Sequence, residues 1–253
     1  MNPFSLQGKL ILITGASSGI GQQCAITCSQ MGATIVGFGR DSDRLEETRR
    51  QMINPENHNF TSVDITDHEV VEQAISHAVS LAGKFHGVIH SAGISETLPL
   101  RMIKMKKLDE IFQINVAGSI NLARLLTRPA NLSDSGGSFV FITSVMATVG
   151  ESGKSLYALT KGAVLAAAKS LAIELAPRKI RVNCVSPGVV VTPMSKKSFY
   201  SQNAEALDYV TKLHPLGLGE PTDVAGACVF LLSDAARWVT GSNIMVDGGY
   251  SAR

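Results

Sequence analysis

The sequence predicts an α/β protein: a single doubly wound Rossmann-type domain with a parallel sheet of about seven strands and helices on both faces. Three observations lead there. Short, β-branched apolar runs alternate with longer segments of helical period along the whole chain, the pattern of repeated β-α-β crossovers. The strand segments are apolar throughout instead of alternating with polar residues, so both of their faces are buried. A glycine-rich turn joins the first strand to the first helix.

In chain order, the first strand is Leu10-Ile11-Leu12-Ile13, followed by a helical stretch from about Gly19 to Met31. Thr34 to Phe38 is the second strand, and the charged segment Ser42 to Met52 the second helix. Phe60 to Val63 reads as a strand and Asp67 to Leu81 as a helix. Gly87 to His90 and Phe139 to Ile142 are two further strands, with one long helix between them from about Lys106 to Leu126. Ser155 to Ala176 is helical, Ile180 to Val185 a strand, Pro221 to Ser233 the last helix and Ile244 to Val246 the last strand. No repeat or linker divides residues 1–253. The irregular stretch at about 190–219, with Pro193 and Pro215, is where a substrate lid would sit.

A chain of 253 residues can bury roughly 70–75% of its unfolded surface, so the core needs no staples. With 45% hydrophobic and 17% charged residues, a disordered or fibrous chain is excluded. A net charge of +2 is too balanced for a protein whose main partner is a nucleic acid, and the basic cluster Lys104-Met105-Lys106-Lys107 reads as a solvated face. Cys24, Cys28, Cys184 and Cys228 have neither disulfide-scaffold density nor metal spacing, and the six histidines are scattered. No signal peptide and no membrane-length apolar run is visible. The expected location is the cytoplasm, with no membrane partner and no metal.

After the first strand comes Thr14-Gly15-Ala16-Ser17-Ser18-Gly19-Ile20-Gly21. Glycines at such a turn let the backbone approach a pyrophosphate, and the helix N-terminus adds exposed N–H groups and a positive dipole end. The spacing is G-x-x-x-G-x-G, and the loop lacks the Gly-Lys-Ser/Thr ending of an NTPase loop. At the end of the second strand an acidic residue would hydrogen-bond the ribose diol of NAD, whereas an arginine pairs with a 2′-phosphate. Here the chain reads Gly39-Arg40-Asp41, which favours NADP(H) over NAD(H). The competing readings are that Arg40 pairs with Asp41 or Asp43, and that Asp41 serves the ribose. Asp64 is either an adenine contact or the N-cap of the next helix.

Tyr157 and Lys161 are four apart in a helical segment and so share a face. A phenol has a reference pKa near 10, and a neighbouring ammonium stabilises the phenolate, so such a tyrosine could exchange a proton with a carbonyl or alcohol oxygen near neutral pH. Ser144 follows the Phe139–Ile142 strand at the carboxyl edge where α/β sheets bind ligands, and its hydroxyl could hold the same oxygen.

Taken together, the glycine turn, Asp64, Ala92-Gly93, Asn115, Ser144, Tyr157-x-x-x-Lys161, Pro187-Gly188, Val191-Thr192 and Asp247-Gly248-Gly249 resemble the short-chain dehydrogenase/reductase family over essentially the whole chain, including its 3-oxoacyl-acyl-carrier-protein reductases. The resemblance implies hydride transfer between a nicotinamide and a carbonyl carbon. It makes Tyr157 the general acid in reduction and Ser144 the group that polarises the substrate oxygen. Lys161 would bind the nicotinamide ribose and lower the Tyr157 pKa. Asn115 would both hold a water that relays protons to Lys161 and bond backbone in a helix kink. Cofactor contacts are implied for Gly15, Ser17, Ser18, Gly19, Ile20, Gly21, Arg40, Asp64, Ile65, Ser91, Ala92, Gly93, Pro187, Gly188, Val190 and Thr192, besides Tyr157 and Lys161. The family usually has Asn-Ala-Gly where this chain has Ser91-Ala92-Gly93, which implies weaker local support of the cofactor pocket.

The substrate is a small carbonyl or alcohol. In the lid, Met194, Phe199, Tyr200, Leu207, Tyr209 and Leu213 suit an acyl chain or ring, while Lys196 and Lys197 suit a phosphate or carboxylate. A 3-oxoacyl thioester, a free ketone, a sugar and a sterol-like ring all stay open, as does a sensor that holds NADP(H) without turnover. Ile173, and the non-basic surroundings of Ser133-Asp134, count against docking of an acidic carrier protein. His214 either forms a turn or touches substrate. Helices apolar on more than one face point to a homotetramer, with a dimer next.

Overall fold

In the computed structural model, residues 2–196, 201 and 203–252 are described. Seven strands form one parallel sheet: β1 (Leu10–Thr14), β2 (Thr34–Gly39), β3 (Asn59–Ser62), β4 (Gly87–His90), β5 (Gly137–Ile142), β6 (Ile180–Pro187) and β7 (Asn243–Val246). Their spatial order is β3-β2-β1-β4-β5-β6-β7. The chain builds outward from β1 to β3, then returns to the other side of β1 with β4. That reversal opens a crevice beyond the carboxyl ends of β1 and β4.

The uniformly apolar strands feed two cores. Leu10, Leu12, Val36, Phe38, Phe139 and Phe141 point to one face, under α3 (His68–Ala82), α5 (Gly118–Leu126) and α6 (Ser155–Leu175). Ile11, Ile13, Ile35, Val140 and Ile142 point to the other, under α1 (Gly19–Gln30), α2 (Ser42–Arg50) and α9 (Pro221–Leu232). Successive residues in a strand face opposite ways, so a strand covered on both sides must be apolar at every position. α6 is long and apolar enough by composition to cross a membrane. Here it covers the sheet, with Val164, Ala168, Ala172 and Leu175 buried in the first core.

Three expectations are corrected. The single helix over 106–126 is two helices, α4 (Met105–Phe112) and α5, joined by a π turn at Gln113–Ala117. The N-cap of α3 is Asp67, which accepts from the Val70 amide, not Asp64. Asp64 instead accepts from the Thr66 amide at 2.9 Å and the Thr66 hydroxyl at 2.7 Å. The stretch at 190–219 is not irregular throughout: it carries α7 (Pro193–Lys196) and α8 (Ala204–Lys212). The lid calls at Lys197, Phe199 and Tyr200 lie outside the described residues.

Candidate active site

The carboxyl ends of β1, β2, β4, β5 and β6 open into one cavity of about 770 Å³. After β1, Gly15, Ser17, Ser18, Gly19 and Ile20 line it. Gly15 has φ +70°, and a Cβ there would meet the Ala92 amide at 2.9 Å. A Cβ at Gly21 would lie 2.3 Å from the Gly15 carbonyl oxygen, so this glycine lets α1 start tight against the turn from just behind the cavity wall. Ser18 is the N-cap of α1, yet its side chain bonds no helix amide, which leaves the first amides of the helix directed at the cavity mouth.

Arg40 lines the cavity beyond β2. Asp41 is committed elsewhere: it caps α2 through the Arg44 amide and pairs with the Arg44 guanidinium at 3.4 Å. Among the described residues no carboxylate lies within ion-pair distance of Arg40. Asp64 and Ile65 follow on the same wall. The Asp64 carboxyl is held below its usual range by the Thr66 amide and hydroxyl, with the Arg40 charge a smaller contribution.

Ser91, Ala92 and Gly93 run past the end of β4 along the cavity. Two side chains fasten this stretch. The Ala92 amide donates to Thr14 Oγ1 at 3.2 Å, and the Ile94 amide donates to Asn115 Oδ1 at 2.9 Å. Asn115 Nδ2 donates in turn to the Ile94 carbonyl and to Thr160 Oγ1, both at 3.0 Å. Asn115 is therefore a buried clasp between the loop after β4, the π turn and α6, and does not itself line the cavity. That is the backbone-bonding role in a helix kink. It also supplies support that Ser91 would otherwise have to give.

Ser144 follows β5 with its hydroxyl accepting from the Met146 amide at 3.2 Å. Tyr157, on the first turn of α6, lines the same cavity, and Lys161 sits one turn on. The Lys161 ammonium is 5.7 Å from the centroid of the Tyr157 ring, within cation–π range. It donates to the Ile142 carbonyl at 2.8 Å. Burial pulls its pKa down to about 8. His90, tilted against Phe141 and 3.1 Å from Thr14 Oγ1 through Nδ1, is buried and kept neutral, its pKa driven to about 3 chiefly by burial and secondarily by the Lys161 charge.

Pro187, Gly188, Val190 and Thr192 form the far wall beyond β6. His214 is a clasp here and not a substrate group: Nε2 accepts from the Val189 amide at 3.1 Å, and Nδ1 lies 2.8 Å from the Val210 carbonyl. It ties the end of α8 to the wall.

Comparison with known proteins decides what this arrangement belongs to. The family described as enoyl-(acyl carrier protein) reductase matches residues 15–251. The 3-oxoacyl-[acyl-carrier-protein] reductase of Thermotoga maritima is 32% identical, over 96% of this chain and 98% of that one. A short-chain type dehydrogenase/reductase from Mycobacterium ulcerans superimposes with a TM-score of 0.90 at 31% identity, covering 98% of this chain and 92% of its own. The chain is a short-chain dehydrogenase/reductase. The gluconate 5-dehydrogenase of Burkholderia cenocepacia, in complex with NADP and tartrate, superimposes with a TM-score of 0.92 at 27% identity, covering 100% and 98%.

As a short-chain dehydrogenase/reductase the protein is an oxidoreductase of alcohol and carbonyl groups, with a nicotinamide cofactor. Its own residues fit that group. The glycine turn leaves space that side chains would fill, and the uncapped helix amides and Arg40 would offer positive charge to phosphates. Thr14, Thr160 and the Ile142 carbonyl were not singled out from the sequence, nor was Lys154, which lines the cavity near Ser144 and Tyr157. Lys154 carries no motif of its own in the sequence, and its place in the cavity wall is what singles it out.

Proposed function

We propose that the protein is an NADPH-dependent reductase of small carbonyl compounds, running also in reverse on the secondary alcohols. The observation that carries this reading is the convergence of Ser144, Tyr157 and Lys161 on the cavity that the glycine turn and Arg40 enter from the other end. When bound, the nicotinamide supplies a hydride. The chain's residues handle the oxygen. Ser144 donates a hydrogen bond to the substrate carbonyl, Tyr157 delivers the proton as charge develops there, and Lys161 stabilises the phenolate left behind.

Arg40, free of competing carboxylates among the described residues, supports the 2′-phosphate of NADP(H) as its partner. The gluconate dehydrogenase that superimposes on this chain holds NADP as well. Gly15, Ser17, Ser18, Gly19, Ile20 and Gly21 would form the pyrophosphate turn, with Asp64 and Ile65 at the adenine. Ser91, Ala92, Gly93, Pro187, Gly188, Val190 and Thr192 would lie along the nicotinamide half. Residues 190–219 would act as the lid of a single domain spanning 1–253.

A 3-oxoacyl group on a carrier protein is the less favoured substrate. Ile173, 78% exposed, offers a carrier no charge, and Asp134 is paired with Lys84. The exposed residues Leu159, Ala166, Ser170 and Ile173 make an outward stripe on α6 that a second copy would cover, consistent with a homotetramer. The four cysteines are buried free thiols, in keeping with a reducing, cytoplasmic setting.

The test is NADPH oxidation over a panel of ketones, oxo acids, sugars and 3-oxoacyl thioesters, with Tyr157→Phe alongside. Turnover that vanishes in the variant while NADPH still binds supports a reductase. Tight NADPH binding with no turnover of any carbonyl would instead favour a cofactor sensor.

A further inference from the structure

We propose that Lys154 is the substrate's anion anchor, so that the enzyme acts on small oxo acids and the corresponding hydroxy acids. This rests on the reductase reading above and names its substrate class.

The argument starts from what Lys154 does not do. It is the N-cap residue of α6, but its side chain makes no capping bond. A cation at that end of a helix faces the positive pole of the dipole, an unfavourable arrangement unless something offsets it. Its neighbour Lys107 is paired, with Glu96 at 3.0 Å and Glu110 at 3.2 Å. Among the described residues Lys154 has no ion pair. Glu151, which also lines the cavity, and Glu96 bear on its charge without an ion pair, and Glu96 is already held by Lys107. The side chain is half-buried in the cavity wall, and that burial lowers its pKa.

Its place in the cavity separates it from the cofactor's phosphates. Arg40 follows β2 and Ser144 follows β5, three strand spacings apart, or about 14 Å across the sheet. Lys154 lines the cavity three residues before Tyr157, while Lys161 is buried with its ammonium on the Ile142 carbonyl. Among the described residues that line the cavity, Lys154 is thus the cation available to a substrate at this end. It precedes Tyr157 by three residues, about 4.5 Å of helix rise, and a lysine tether spans that easily. A carbonyl oxygen at Tyr157 and Ser144 would place a carboxylate one to three carbons away against the ammonium. Tyr209 and Tyr250, which also line the cavity, would bound the remaining space. The overall reaction balances as oxo acid plus NADPH plus a proton giving hydroxy acid plus NADP⁺.

The experiment compares 2-, 3- and 4-oxo acids with their methyl esters, using NADPH and the full-length wild type, Lys154→Met, Lys154→Gln and Lys154→Arg. A second readout is calorimetric titration of the NADP⁺ complex with malonate, which binds without reacting. The expected result is a wild-type preference of at least 10-fold in kcat/KM for one acid over its ester. That preference should collapse in the Met and Gln variants through KM and survive in Arg, with malonate binding lost in parallel. Esters preferred by the wild type, or an acid preference unchanged in both neutral variants, would overturn the proposal. Failure of acids and esters alike to turn over would count against the reductase reading itself. The malonate titration reads Lys154 separately, and no binding to the wild type overturns the anchor.

Discussion

The ammonium of Lys161 is hydrogen-bonded at 2.8 Å to the carbonyl oxygen of Ile142, the last residue of β5 and two residues before Ser144. One bond therefore ties the helix that carries Tyr157 to the strand that carries Ser144. The spacing of the two hydroxyl groups is set by main chain and core packing, not by a mobile loop. The same bond keeps a charge in a buried place, and this has a measurable consequence.

Lys161 has a folded pKa of about 8 against an ordinary 10.5. Between those values the unfolded chain binds a proton that the folded chain does not, so stability rises with pH across that window. The full cost of burying the ammonium is present below pH 8. In denaturant unfolding, the wild type should gain about 3 kcal/mol relative to Lys161→Met between pH 7.5 and 10.5. A difference that stays flat with pH would mean that Lys161 is not buried as a cation.

Tyr157→Phe removes the proton donor but keeps the ring over which Lys161 sits. General acid catalysis is worth about 10²–10⁴-fold, so kcat should fall by that factor. The dissociation constant for NADPH, read by nicotinamide fluorescence, should move less than about threefold, under 1 kcal/mol. A variant retaining a tenth of wild-type turnover would remove Tyr157 from the role of acid.

Arg40→Ala takes away the cation that faces the cavity beyond β2. Charge-assisted bonds to a phosphate contribute about 1.5–3 kcal/mol, so NADPH affinity should drop roughly 10- to 100-fold with NADH affinity little changed. Equal losses for both cofactors would assign Arg40 a structural role.

Asn115→Ala leaves the Ile94 amide and carbonyl without their partner, while the Thr160 hydroxyl keeps its bond to the Tyr157 carbonyl. Each buried group left unsatisfied costs about 1–3 kcal/mol, so a destabilisation of at least 2 kcal/mol is expected in chemical denaturation. Cofactor affinity should weaken as well, because the Asn115 clasp on Ile94 anchors the end of the Ser91–Gly93 stretch that lines the cavity. Unchanged stability would show that water replaces the side chain at no cost.

The layered architecture was legible because burial on both faces leaves an unambiguous mark, as in Leu10–Ile13 and Phe139–Ile142. The catalytic set was legible because Tyr157 and Lys161 lie on one helical face and Ser144 at a strand end. Three features were hidden, each for a physical reason. The π turn at Gln113–Ala117 inserts one residue without interrupting the apolar period, so the segment reads as a single helix. Asp64 and Asp67 are both capable caps, and only the bond from Thr66 decides which one the helix uses. Lys154 looks like any solvated lysine until the cavity wall beside it is seen.

The π turn gives part of this site an unusual basis. Its information lies in a length as well as in residue types. Removing one residue between Phe112 and Gly118 would let the segment relax to an ordinary α-helix. The helices on either side would keep their faces, because the deletion removes the one extra residue that the π turn carries, but the widened backbone at Asn115 would close. Asn115 would then point away from Ile94 and Thr160. Tolerance to substitution and tolerance to deletion should therefore diverge sharply along this segment: exposed positions such as Glu110 accept many side chains, but the register accepts no change.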